Sequence, residues 1–140
     1  MENSMGDFVT VKERKGGIYT QDVIARSHRL YADEPESYGS ADLGPAPFEY
    51  VCAGLGACTT MTLRMYAERK KWPVSHLAVD VSYKKSGTGD EMKHVFVRDI
   101  TIEGDLDEAQ RARMLEIANK CPVHRMLEGQ IEIRTGLFEV

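Results

Sequence analysis

Several things are scarce in this sequence, and each scarcity excludes something. Cysteine occurs only as Cys52, Cys58 and Cys121, an odd set that makes no paired disulfide framework. No uninterrupted apolar stretch reaches the roughly 18 residues that a membrane-spanning helix needs. Positive charge is in deficit, with a formal net charge of −4 and a pI near 5.6, which argues against a nucleic-acid or anionic-membrane surface. The basic cluster Arg69-Lys70-Lys71 reads instead as cations that complement a helix C-terminus and stay solvated. Glu2 and Asp7 stand at the N-terminus with no apolar run behind a basic start, so no signal peptide is read there. The chain is therefore expected to be cytoplasmic, where thiols are kept reduced. The motifs GxSxG, GxGxxG after a strand, the P-loop and HExxH are all missing.

What is present fits one globular domain over residues 1–140, with 42% hydrophobic and 29% charged residues. No internal repeat, low-complexity tract or linker interrupts it. Gly16-Gly17 between the runs Phe8–Val11 and Ile18–Ala25 predicts a hairpin. A loop rich in turn formers follows, from Asp33-Glu34-Pro35 to Gly44-Pro45, in which solvation and turn formation account for the two carboxylates. Pro47 suits a first helical turn, and the run from Phe48 to Tyr66 is apolar nearly all round, which predicts a helix to about Lys71 in a core or between subunits. Gly54 and Gly56 weaken that helix, and close approach of another backbone would compensate.

Leu77, Val79, Val81 and Tyr83 alternate with polar residues as in a half-buried strand, and Gly87-Thr88-Gly89-Asp90 turns the chain into a second strand, about Lys93 to Glu103. Asp105 and Glu108 have capping-box spacing ahead of a helix from about Asp107 to Lys120. Cys121-Pro122 then starts a short helix to about Leu127, and Ile131, Ile133, Thr135 and Leu137 alternate as a last strand. The order predicts an α+β domain with helices on an antiparallel sheet.

The cysteines carry the readable chemistry. Cys121 sits at a helix start with His124 and Arg125 one turn on, a setting that lowers a thiol pKa. Nothing near Cys58 in sequence does the same, so an activating cation would come from elsewhere in the fold. Free cysteine is also among the most buried residue types, so plain burial stands beside redox chemistry for Cys58 and Cys121 and ahead of it for Cys52. Zinc is a third reading. Cys121-x-x-His124 with Cys58, Cys52 or His28 could make a site, but the usual ligand spacings are absent and no metal is expected.

Gly44-Pro45-Ala46-Pro47-Phe48-Glu49 and Leu55-Gly56-Ala57-Cys58-Thr59 resemble the first cysteine signature of the OsmC/Ohr proteins, and Cys121-Pro122-Val123-His124 with Leu127 resembles the second. The resemblance runs from about Ile18 to Leu137, and His28 to Pro35 is similar to a distinct OsmC-like branch. It implies an antiparallel sheet with a long central helix carrying Cys58, in an intertwined homodimer with active sites at the interface. It further implies a peroxiredoxin-like thiol peroxidase of oxidative stress defence that reduces organic hydroperoxides. Cys58 would be the peroxidatic thiolate and Cys121 the resolving thiol, with an external dithiol as reductant and no bound cofactor. Glu49 would hold a cation over the thiolate, supplied by Arg26 or by His28, which on a continuous strand share one face while Arg29 points away. Nine helical residues span about 13.5 Å and half a turn, so Glu49 is expected to serve the partner's Cys58. Phe48, Tyr50, Met61, Met65 and His124 would line the substrate pocket. The competing reading is a non-catalytic dimer that binds a small apolar ligand, its cysteines incidental.

Overall fold

The computed structural model describes residues 8–138. In chain order it has strands β1 (Val9–Glu13), β2 (Gln21–Ala25) and β3 (His28–Ala32), helix α1 (Pro47–Lys70), strands β4 (Val74–Ser86) and β5 (Lys93–Gly104), and helices α2 (Glu108–Ala118) and α3 (Pro122–Glu128). The class is α+β, but the strands form two sheets rather than one: a three-stranded sheet in the order β1-β2-β3 and a two-stranded sheet of β4 and β5. Two compact units divide the chain, one of residues up to Gly54 with Val81–Arg98, the other of Leu55–Asp80 with residues from Asp99 onward.

In the first unit the expected hairpin pairs Val9 with Ala25 through Glu13 with Gln21, antiparallel. β3 returns along β2, with Ala25 opposite His28. This corrects the expectation that Arg26 and His28 share one strand face. Arg26 and Ser27 are the two residues of a tight turn, and Arg26 takes φ 55°, a left-handed conformation that costs a non-glycine residue about 1 kcal/mol. The pairing offsets that cost, because Val11, Val23 and Leu30 stand side by side across the sheet.

Asp33, expected to be solvated, is instead 2% exposed. Its carboxylate accepts hydrogen bonds from the hydroxyls of Thr20 (2.8 Å) and Ser40 and from the N–H groups of Glu34 (2.7 Å) and Leu43 (3.1 Å). Burial pushes this carboxyl up, but the four donors outweigh burial and hold it down at about 2. The Asp33 N–H donates to the Pro45 carbonyl at 3.1 Å, so one residue ties down both ends of the loop. Gly44 is required there, since a Cβ would overlap the Tyr31 carbonyl.

The second unit holds the apolar core: Leu63, Tyr66 and Ala67 of α1, Val74, Leu106, and Met114, Ile117 and Ala118 of α2. α1 ends in a Schellman motif, Lys71 at φ 58°, with Trp72 N–H on the Ala67 carbonyl and Lys71 N–H on that of Glu68. Its last turn carries Arg69 and Lys70, and the Arg69 guanidinium also lies 5.2 Å over the Tyr66 ring. The expected alternation in β4 is present, with Leu77 and Val79 half-buried between exposed neighbours.

Two expectations fail here. The α2 cap is Asp107 with Gln110, reciprocally bonded at 2.7 and 2.9 Å, not Asp105 with Glu108, because Leu106 turns into the core and moves the helix start along. The last strand does not form. Ile131, Ile133 and Leu137 are 58%, 84% and 88% exposed in an irregular segment, because alternation chooses a face but a strand also needs a ladder partner. Among the described residues no helix is long and apolar enough to cross a membrane.

Candidate functional site

The second unit brings Cys58 and Cys121 together at the start of α3. Cys121 is the N-cap residue, with Pro122 just inside, and its sulfur accepts the N–H of His124 at 3.3 Å. Cys58, on α1, accepts the neighbouring N–H of Val123 at 3.5 Å. Two orphan donors of one helix terminus are thus shared between two sulfurs, where the dipole favours negative charge. Both side chains are buried, 5% exposed for Cys58 and none of Cys121, and both are free thiols. Sequence reasoning gave the helix start to Cys121 alone, since Val123 lies 65 positions from Cys58 and only the fold joins them.

The balance at Cys58 is mixed. Burial pushes its thiol up; the Val123 N–H opposes this; the Cys121 thiol, acting through a hydrogen bond and through charge, pushes it up further; and the Thr62 hydroxyl lowers it. The net direction is upward. Burial also raises Cys52, followed by the negative charge of Glu49. His124 turns its ring to Glu128, Nε2 lying 2.8 Å from Oε1. Met61 and Met65, on the same length of α1 as Cys58, are 56% and 50% exposed.

The remaining candidates belong to the first unit. Glu49 lies in the first turn of α1, and its Oε1 accepts the Ala46 N–H at 2.8 Å, half of a capping box. Phe48 stacks on Tyr83 with ring centroids 4.6 Å apart, and the Tyr50 hydroxyl donates to the Tyr31 carbonyl. Arg26 and His28 are exposed at the β2–β3 turn. By register His28 shares the face of the Val11–Val23–Leu30 row, and Arg29 takes the other. Among the described residues nothing comes within 4 Å of a side chain placed at Gly54, so they do not make the close backbone approach expected there. Among the described residues no group of three or more His, Cys, Asp or Glu side chains could hold a metal ion.

Comparison with known proteins points one way. A family model described as OsmC-like protein matches residues 39–136. The structure resembles that of an OsmC-like protein from Mycoplasma pneumoniae, at 16% identity over 89% of this chain and 90% of the other, with a TM-score of 0.68. It also resembles an organic hydroperoxide resistance protein OsmC from Legionella pneumophila, at 18% identity over 90% and 93% of the two chains, TM-score 0.66. An OsmC-like hydroperoxide resistance protein from Jannaschia sp. CCS1 shares 23% identity over 86% and 82%, TM-score 0.54. At these identities the likeness is one of fold. A search of curated proteins gives no match.

Proposed function

Since this chain belongs to the OsmC-like family, we propose that it is a cysteine-dependent peroxidase that reduces organic hydroperoxides in the cytoplasm, as part of oxidative stress defence. The observation that carries the reading is the shared helix start: Val123 N–H on the Cys58 sulfur beside Cys121 as N-cap. The Cys58 thiolate attacks the terminal oxygen of the hydroperoxide. An S–O bond forms, the O–O bond breaks, and the alkoxide leaves and takes a proton to become the alcohol. Cys58 is then a sulfenic acid, and the Cys121 thiol condenses with it, releasing water and forming a disulfide. An external dithiol reduces that disulfide and is itself oxidised, so no bound cofactor is needed. The start of α3 stabilises the thiolate and then keeps the resolving sulfur beside it.

Burial opposes the thiolate, so a cation must complete the site. We assign it to Arg26 or His28, held by Glu49 and brought by a second copy of the chain. Support for a homodimer comes from the first unit's sheet, whose face bearing Val9 (47% exposed), Val11 (57%) and Leu30 (45%) is uncovered. Gly54 and Met61 of α1 also face open space. Met61, Met65 and His124 of the second unit would line the pocket for the apolar part of the peroxide.

The upward shift of Cys58 favours a second reading, a ligand-binding dimer with an inert thiol. Stoichiometric cumene hydroperoxide with mass spectrometry separates the two. Rapid loss of two hydrogens as a Cys58–Cys121 disulfide, abolished in Cys58→Ser, is the expected result. No reaction at modest excess would overturn the peroxidase reading and leave the binding one.

A further inference from the structure

Thr59, Thr60 and Thr62 follow Cys58 closely on α1. A threonine hydroxyl inside a helix has a ready acceptor in the carbonyl three or four residues back. Thr59 uses it, donating to the Leu55 carbonyl at 2.7 Å, and Thr60 does the same with that of Ala57 at 3.2 Å. Thr62 does not. Its Oγ1 is shut off from solvent and has no hydrogen-bond partner. Buried hydroxyls left in that state are rare and costly, and each asks for an explanation.

The position of Thr62 supplies one. It follows Cys58 by four residues, so the two share a helix face, and helical side chains lean towards the N-terminus, here towards Cys58. The hydroxyl acts on the Cys58 sulfur in the sense that favours its ionised form. A neutral thiol is a weak acceptor, and with the Val123 N–H already on this one the Thr62 hydroxyl completes no hydrogen bond to it.

We infer that Thr62 is a catalytic residue, a hydrogen-bond donor held unpaired against the Cys58 sulfur until that sulfur becomes a thiolate. The inference rests on reading Cys58 as the thiol that attacks peroxide. Ionisation turns the sulfur into a strong acceptor, and a donor four residues along the same helix face needs only a small side-chain turn to reach it. The Val123 N–H reaches the same sulfur from α3, so donors on two elements fix it. Thr62 transfers no proton; it keeps its own throughout.

Alkylation of Cys58 by iodoacetamide, followed by peptide mass spectrometry from pH 5 to 10, tests this in the full chain. Thr62→Val removes the hydroxyl at nearly constant shape, and Thr62→Ser keeps it. Thr62→Val should move the Cys58 titration upward by about one pH unit and slow alkylation at pH 7 roughly tenfold, while Thr62→Ser stays near wild type. Should Thr62→Val fail to fold, Thr62→Ala carries the same expectation. A purely structural role would change the melting temperature and leave the pH profile in place. Identical titration of wild type and Thr62→Val, or Thr62→Ser behaving as the valine variant, would overturn the inference. Cumene hydroperoxide oxidation of the same variants separates it from the peroxidase reading. A shifted titration in a wild type that peroxide leaves untouched removes that reading and keeps the Thr62 contact. Full oxidation with an unmoved titration does the reverse.

Discussion

The two units of this chain are held together by different means. Every buried hydrophobic side chain among the described residues, from Leu55 to Cys121, belongs to the second unit. The first unit buries Thr20 and Asp33 instead, and leaves Val9, Val11, Leu30, Tyr31 and Phe48 exposed. Burial of apolar surface is the main driving force of folding, and a polar pin such as Asp33 contributes far less. The second unit therefore closes its own core. The first is ordered locally by its ladders and by one carboxylate, with its apolar face waiting for a cover. In the proposed function the same division recurs: the thiols sit where the chain is self-sufficient, and the candidate cations and Glu49 sit where it is not.

The strongest way to break this comparison is to make the uncovered face polar. Val11→Asp with Leu30→Asp should abolish the dimer in analytical ultracentrifugation. Wild-type stability should fall by about 1.4 kcal/mol for each tenfold dilution, and that of the double variant should not depend on concentration. A wild type that is monomeric, with the double variant as stable as it, would mean that the face needs no cover. Surface substitutions of that kind normally change stability by no more than about 0.5 kcal/mol.

Asp33 offers the next largest effect. Its carboxyl is held at about 2, below its ordinary value of 3.8, so the folded state prefers the ion. The stability this contributes is complete above the ordinary value and is lost as pH falls from there through about 2. Asp33→Asn should lower the urea midpoint at pH 7, and its stability should fall less steeply than that of wild type across the acid window. Parallel acid profiles for the two proteins would show that other carboxylates govern acid unfolding.

How far the sequence could be read follows the same physical divide. Features written in contiguous residues were legible: α1 from Pro47, the β4 alternation, the hairpin at Gly16-Gly17, and Cys121-Pro122 at the start of α3. The two cysteine signatures led to the right family. Features that depend on residues meeting across the chain were not. Arg26-Ser27 lacks the Gly, Asn or Asp that usually takes the positive φ of a two-residue hairpin turn, so the reversal was not legible without the pairing of β2 and β3. Asp33 finds donors on Thr20, Ser40 and Leu43, none of which marks it as buried when read locally. The run from Ile131 to Leu137 has the pattern of a strand, and the described chain pairs it with nothing. Thr62 was the one missed residue near the thiols with a local signal, four positions from Cys58 on a recognisable helix face.

The smallest effect lies at the alkaline end, where Cys58 mirrors Asp33 with the opposite sign. Burial first, and then the Cys121 thiol, raise the Cys58 pKa despite the Val123 and Thr62 donors, so the folded chain holds this proton more tightly than the unfolded one. The corresponding stability is present below the ordinary thiol value of about 8.5 and is lost as pH rises through the raised one. Cys58→Ala should flatten the decline of the urea midpoint above about pH 8.5, with little change in slope between pH 5 and 7. The experiment also reports on the assembled site. If a partner's cation reaches the sulfur in the dimer, its pKa falls, the alkaline decline disappears from wild type at high protein concentration, and it returns on dilution. A decline that is the same at every concentration would leave Cys58 a buried thiol with no cation over it, and would count against peroxidase chemistry at neutral pH.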